Sequence, residues 1–186
     1  MNLFWAKGYS GASMKQIEQA LDMRPGSIYA TFGSKDGLFG EALAAYAQQS
    51  EAEMNKQVAG CSSVLEGLQN YLHQIARQAS LGEGETPSRA CMIVKTLLEA
   101  SNTNRVLASQ ANRILNTIEQ SLQKLLEQAK NRGELRPDTN CPRLARMLQA
   151  QIIGLRSFAQ RDISPTQVTE LADDMAALLD QHRNRH

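Results

Sequence analysis

Pro25, Gly26 and Ser27 stand together where the chain turns from one short apolar-patterned segment into the next. Proline loses nothing at the first position of a helix, because the N–H it lacks would have no intrahelical partner there. Gly26 and Ser27 are small enough to let another molecule approach the backbone. The free N–H groups and the positive end of the helix dipole at such a place favour an anion, a phosphate above all. Other reactive groups do not converge. His73, His182 and His186 are scattered, and Cys61, Cys91 and Cys141 form no CxxC pair, so neither a metal site nor a disulfide framework is expected. No carboxylate pair and no Ser/His/Asp set stands out, so no catalytic residue and no cofactor is assigned, and enzyme chemistry is not expected.

Cys91 has two readings. It lies in the apolar run Ala90-Cys91-Met92-Ile93-Val94. A cysteine there is first of all a small buried hydrophobe. With Lys95 one turn on, it is also a candidate thiolate that senses oxidants or electrophiles. Cys61 and Cys141 fall near predicted helix starts and are read as incidental.

The elements that must hold Pro25–Ser27 in place are legible from start and stop signals. Ser13-Met14-Lys15-Gln16, Ser63-Val64-Leu65-Glu66 and Ser164-Pro165-Thr166-Gln167 are capping boxes. Ser34 caps a helix from Lys35, and Thr86-Pro87 offers a further start. Gly8, Gly60, Gly82, Gly84 and Gly133 are stops. Ile17 and Leu21 share one face of the helix after Ser13. Asp22-Met23-Arg24 forms a turn, and Ile28 and Phe32 face inward from the next helix. A helix, a tight turn and a second helix of this length present the N-terminal end of the second helix outward, as in motifs that enter the DNA major groove.

Here the sequence resembles a known family. Gly8-Tyr9, Ala12-Ser13, Ile17 and the run Pro25-Gly26-Ser27-Ile28-Tyr29-Ala30-Thr31-Phe32-Gly33-Ser34-Lys35-Asp36-Gly37-Leu38 are similar to TetR-type (tetracycline-repressor-like) regulators. The resemblance covers roughly the first quarter of the chain, and the remainder agrees in its helical architecture. It implies a groove-facing surface made of Pro25, Gly26, Ser27, Ala30 and Thr31. Tyr29 would bond a phosphate through its hydroxyl, and Lys35 would clamp another. Lys15 would reach a base or phosphate, and Ser13 and Met14 would offer backbone N–H groups. Arg24 stands where the family more often has a short capping residue; it either reads a guanine edge or neutralises phosphate. Asp22 takes a turn position where the family commonly has glycine, and aspartate tolerates left-handed geometry better than most residues. The family's first helix starts about two turns earlier than Asn2–Lys7, so a longer native N-terminus is expected.

Over its 186 residues the chain is 42% hydrophobic and only 5% aromatic, which supports a helical core and argues against disorder. Lys and Arg exceed Asp and Glu by one, so any nucleic-acid contact must come from local arrangement. Leu107, Ala111, Ile114, Ile118, Leu122, Leu125 and Ala129 step along one helix face, as do Val168, Leu171, Met175, Leu178 and Leu179. No alternating strand pattern occurs. The expected architecture is all-α, with about nine helices: a three-helix helix-turn-helix domain over 1–46 and a larger helical ligand-binding and dimerisation domain over 47–186. Segments 143–160 and 165–182 are expected to form a homodimer that sets the spacing of two recognition helices on a palindromic double-stranded DNA operator. A small-molecule effector among the helices from Val64 to Lys130 would release a repressor. No membrane segment or signal peptide is apparent, and a reducing cytoplasm suits the cysteines.

Three alternatives stay open at this level. The switch is chemistry at Cys91; or the helix-turn-helix is incidental to an all-α small-molecule-binding protein or enzyme without specific DNA binding; or a DNA-binding dimer has lost its inducer pocket.

Overall fold

A computed structural model describes residues 2–80 and 91–184. Among these residues it is all-α, with nine helices: α1 (Asn2–Gly11), α2 (Met14–Leu21), α3 (Pro25–Phe32), α4 (Lys35–Ala59), α5 (Val64–Ser80), α6 (Met92–Ala100), α7 (Arg105–Asn131), α8 (Cys141–Phe158) and α9 (Pro165–Asp180). The described residues contain no strand, only a lone antiparallel bridge between Leu135 and Arg183. The start expected at Thr86-Pro87 and the stops at Gly82 and Gly84 lie outside the described residues. No described helix is long and apolar enough to cross a membrane.

The chain divides into two compact units. One comprises residues 1–49 with 92–115, and the other 50–91 with 116–186. The first holds an aromatic cluster in which α1 lies on α4. Phe4 and Tyr9 meet Phe39 edge-on with ring centroids 4.8 and 5.2 Å apart, and Trp5 meets Tyr46 at 4.9 Å. Such edge-to-face pairs contribute beyond the area they bury. Ile17, Ile28, Leu43 and Leu107 complete a dry interior in this unit. The stop expected at Gly8 is a kink: its φ is 71° and α1 resumes to Gly11.

The second unit is built on α5, α7, α8 and α9. Leu65, Leu68 and Leu72 of α5 share one core with Leu122 and Leu126 of α7, Leu144 and Leu148 of α8, and Val168, Ala172 and Leu179 of α9. His73 of α5 pairs with Asp173 of α9 at 3.0 Å. At the buried end of α8, Arg156 donates to the Tyr71 hydroxyl at 3.2 Å.

The capping boxes at Ser13 and Ser164 form in both directions. The one at Ser63 forms by half. Ser63 Oγ accepts from Glu66 N, but Glu66 takes a hydrogen bond from Ser62 instead of reaching back. Glu134, beyond the end of α7, supplies the carboxylate there, accepting from Ser63 Oγ and from the N–H groups of Val64 and Leu65. Leu21, which shares a helix face with the buried Ile17, is 37% exposed. It ends α2 at the turn, where the helix has run past the interior that Ile17 fills.

Candidate nucleic-acid interface

α2 starts cleanly because Ser13 Oγ accepts from Gln16 N at 3.3 Å while Gln16 Oε1 accepts from Ser13 N at 3.1 Å. It stops because Asp22 turns left-handed, with φ 51° and ψ 43°, and returns its N–H to Glu18 O. This is the tolerance for left-handed geometry that aspartate brings to the turn. Arg24 then takes an extended conformation at the start of α3, and its carbonyl accepts from Ser27 N and Ile28 N at 3.0 and 3.2 Å. Its side chain makes no cap hydrogen bond, so the guanidinium is not spent on the helix it precedes.

α3 buries Ile28, half-buries Phe32 and presents the rest. Arg24, Pro25, Gly26, Ser27, Ala30 and Thr31 are exposed, and Tyr29 is 47% exposed. A Cβ placed on Gly26 would meet nothing within 4 Å. The space above the N-terminus of α3 is therefore open. On α2, Ser13 and Lys15 are exposed and Met14 is half-buried. Of the two backbone donors expected there, the Ser13 N–H is engaged by Gln16. Met14 occupies the first helical position, where the N–H has no acceptor within its own helix.

The step from α3 to α4 is what places Lys35. Gly33 closes α3 with φ 72° and ψ −44°, a positive-φ conformation outside the left-handed helical well that residues with a side chain rarely adopt. Ser34 Oγ accepts from Gly37 N at 3.0 Å, capping α4. Lys35 lies half-buried with its Nζ 4.5 Å from the centre of the Tyr9 ring, a cation–π arrangement. Tyr9 donates its hydroxyl to Asp36 Oδ1, and Asn104 donates its side-chain amide to Asp36 Oδ2 at 2.9 Å. Burial first, then the hydrogen bond and charge of Asp36, push the Tyr9 phenol up to about 12. The bonds from Tyr9 and Asn104 hold the Asp36 carboxyl below its ordinary range against the opposing effect of burial, with Lys35 assisting.

Sequence reasoning did not single out Tyr9, Asp36 or Asn104. Tyr9 and Asp36 stood among the residues that carry the family resemblance, Asp36 beside Lys35, but neither had a role of its own. Asn104 gave only the signal of a cap residue before α7, and its link to Asp36 spans 68 positions. Cys91 is 7% exposed and immediately precedes α6. Among the described residues no cluster of His, Cys, Asp and Glu could hold a metal ion.

Two short helices joined by a left-handed turn, with the second offering a bare, small-residue N-terminus and an exposed polar face, define a helix-turn-helix DNA-binding regulator. The comparisons with known proteins narrow the class. Residues 1–42 match the model of bacterial regulatory proteins of the tetR family, and residues 65–175 match the tetracyclin repressor-like C-terminal domain. The chain belongs to this family. It is 29% identical over 181 residues to the HTH-type transcriptional repressor ComR of Escherichia coli, covering 92% of this chain and 81% of ComR. It is 25% identical to the HTH-type transcriptional regulator YezE of Bacillus subtilis over 97% of this chain and 92% of that one. Among solved structures, a cysteine-substituted CifR, a TetR family regulator bound to 26-bp operator DNA, superposes with a TM-score of 0.77 at 26% identity, covering 94% and 90% of the two chains. A TetR regulator from Chloroflexus aurantiacus gives 0.81 at 23% identity over 99% and 91%, a likeness of fold alone. With both halves of the chain matched to one family, the helix-turn-helix is not incidental to an unrelated helical protein.

Proposed function

We propose that this protein is a dimeric repressor that holds a palindromic operator and is released by a small-molecule effector, acting by binding and not by catalysis. The DNA-binding domain is assigned to residues 1–46 and the effector and dimerisation domain to 47–186. The observation that carries the reading is the one-sidedness of α3: Ile28 is fully buried while Pro25, Gly26, Ser27, Ala30 and Thr31 are open. Small residues at an open helix start suit the floor of a major groove. Tyr29 and Lys35 serve as phosphate contacts beside it, with Ser13, Met14 and Lys15 at the start of α2 and Arg24 at the entry to α3. The names of ComR and of the CifR–operator complex support repression through an operator.

Dimerisation is assigned to segments 143–160 and 165–182. Met147 of α8 and Leu178 of α9 are 36% and 37% exposed, and Leu171 and Met175 lie on the same stripe as Leu178. Two such helices from each subunit make a four-helix interface that fixes the separation of the recognition helices. An effector acts by its unequal affinity for the two separations, and DNA affinity falls by that ratio.

A switch at Cys91 is the second reading. The CifR–operator complexes are of cysteine-substituted proteins, which favours attention to thiols in that regulator. The burial of Cys91 means a modifying reagent must first find the site open. Thiol modification of the protein and of Cys91→Ser, followed by operator titration, separates the two switches: equal response of both proteins excludes Cys91.

The function is tested by selecting duplexes from a random pool with the full chain. A palindromic consensus with two half-sites is the expected result, bound with an affinity that falls steeply with salt. Enrichment of no sequence, with weak binding throughout, would remove the proposal.

A further inference from the structure

The Asp36 carboxylate sits one residue after a lysine assigned to phosphate, and this needs explanation. A carboxylate next to a phosphate-binding ammonium competes for it. In this structure both oxygens of Asp36 are otherwise engaged, Oδ1 by the Tyr9 hydroxyl and Oδ2 by the Asn104 amide. Lys35 forms no ion pair among the described residues and rests over the Tyr9 ring. The Tyr9 ring is itself fixed by its hydroxyl bond to Asp36 and its edge contact with Phe39.

Asn104 is tied down from the other side. Its Oδ1 accepts from Leu107 N at 3.2 Å, the cap of α7, which leaves the amide as the group that faces Asp36. One side chain thus caps a helix through its oxygen and donates to a carboxylate through its nitrogen. We propose that Asn104 is a positioning residue for DNA binding: by occupying Asp36 Oδ2 it keeps Asp36 from capturing Lys35, and with Tyr9 it holds the ammonium ready for a phosphate. A residue outside the helix-turn-helix, 68 positions from Asp36, therefore sets the strength of a contact within it. When the Asn104 amide is withdrawn, Oδ2 loses the donor that offsets its negative charge, Asp36 attracts the Lys35 ammonium more strongly, and the lysine loses availability to DNA.

The proposal rests on the reading of Lys35 as a phosphate contact, and the test distinguishes the two. A labelled duplex carrying the selected consensus (a mixed-sequence duplex if selection yields none) is titrated at several salt concentrations with the full chain, Lys35→Met, Asn104→Asp and the double variant. Asn104→Asp keeps an oxygen for the α7 cap but deletes the donor and sets a second carboxylate against Asp36. Asn104→Ser, which also caps, repeats the measurement should the aspartate variant lose helicity. Lys35→Met is expected to reduce the salt slope by about one for each half-site, about two for the bound dimer. Asn104→Asp is expected to weaken binding roughly 3- to 10-fold, the worth of one hydrogen bond. In the Lys35→Met background it should weaken binding no further, because the group it acts through is gone. Adding Asp36→Asn to Asn104→Asp returns one amide and one carboxylate to the pair and should recover affinity. Equal losses in both backgrounds would overturn the positioning role while leaving Lys35 as a contact. An unchanged affinity and salt slope on Lys35→Met would overturn the reading of Lys35 itself, and this proposal with it.

Discussion

A side chain on Gly37 would place its Cβ 2.1 Å from the carbonyl oxygen of Phe32, a distance that no packing adjustment of a side chain can relieve, because the obstacle is backbone. The last turn of α3 and the first turn of α4 are pressed together at this point, and Lys35 hangs on the result. Gly37→Ala is expected to push the start of α4 away from α3, destabilising the protein by about 1–3 kcal/mol as overpacking does. It should also weaken DNA binding beyond that loss of folded protein. Urea unfolding and duplex titration of the variant check the two effects; wild-type values in both would mean that the two turns separate freely.

Glu134 takes over the start of α5, a place where the local pattern pointed to Glu66. Its carboxylate accepts from Val64 N at 3.2 Å, Leu65 N at 3.1 Å and Ser63 Oγ at 2.8 Å. A carboxylate at a helix N-terminus gains from the dipole as well as from the bonds. Glu134→Ala is expected to cost about 2 kcal/mol, the upper range of a lost cap, and Glu66→Ala under about 0.5 kcal/mol, as at an ordinary exposed site. Urea midpoints of the two variants, compared with wild type, would refute this ranking if Glu66→Ala proved the more damaging.

These cases show which parts of the molecule were readable from sequence. Ser13 with Gln16, and Ser164 with Gln167, are three residues apart, so the bond that caps the helix is decided by neighbours in the chain. Ile28 and the exposed Pro25–Thr31 face follow from helical spacing and from the match to the family. Glu134 and Ser63 are 71 positions apart, and Asn104 and Asp36 are 68 apart. Pairings of that kind depend on how helices pack, and no local pattern encodes them. Leu21 shows a different limit: its spacing from Ile17 is helical, but it is the last residue of α2, past the interior that Ile17 fills, and it lies 37% exposed.

Tyr9 and Asp36 give the first unit opposite responses to acid and base. The folded protein holds the Tyr9 proton more tightly than the unfolded chain, with the phenol pushed up to about 12 from an ordinary 10.0. The stability from Tyr9 is therefore complete below pH 10 and is lost as the pH rises toward 12. Asp36 is held below its ordinary 3.8, so its contribution is present above that pH and is lost as the pH falls through the folded value. Of the four tyrosines, Tyr9 is expected to ionise late in an absorbance titration of tyrosinate. Tyr9→Phe should delete that late step; its persistence in the variant would assign it to another tyrosine.

Arg24 has an extended backbone and an uncommitted side chain at the mouth of α3. Its two roles leave different marks. As a reader of guanine it would make Arg24→Ala lose about 1–3 kcal/mol and relax preference at one base pair of each half-site. As a phosphate contact it would weaken all sequences alike and lower the salt slope by about one for each half-site. The open space over Gly26 and the absence of a cap bond favour the first outcome. Repeating the selection with the variant decides it, a sharp consensus unchanged at every position being the result against base reading.

Leu171 and Met175 of α9 pack against the core beside Val168, Ala172 and Leu179, and with the 37% exposed Leu178 they form the half-open edge of that apolar face. An apolar face wider than the monomer's core covers asks for a further partner along its open edge, and Met147 on α8, 36% exposed, adds to that edge. Leu178→Glu changes a partly exposed position, so the monomer's own folding should shift by about 0.5 kcal/mol or less. A charge placed in an apolar interface between two copies, by contrast, would be buried twice by symmetry and left unpaired. Sedimentation of the variant is expected to show monomer where wild type shows dimer. Operator binding should drop to that of one half-site, because the second helix-turn-helix is no longer delivered with the first. A variant that stays dimeric and binds as before would move the interface off this face of α9.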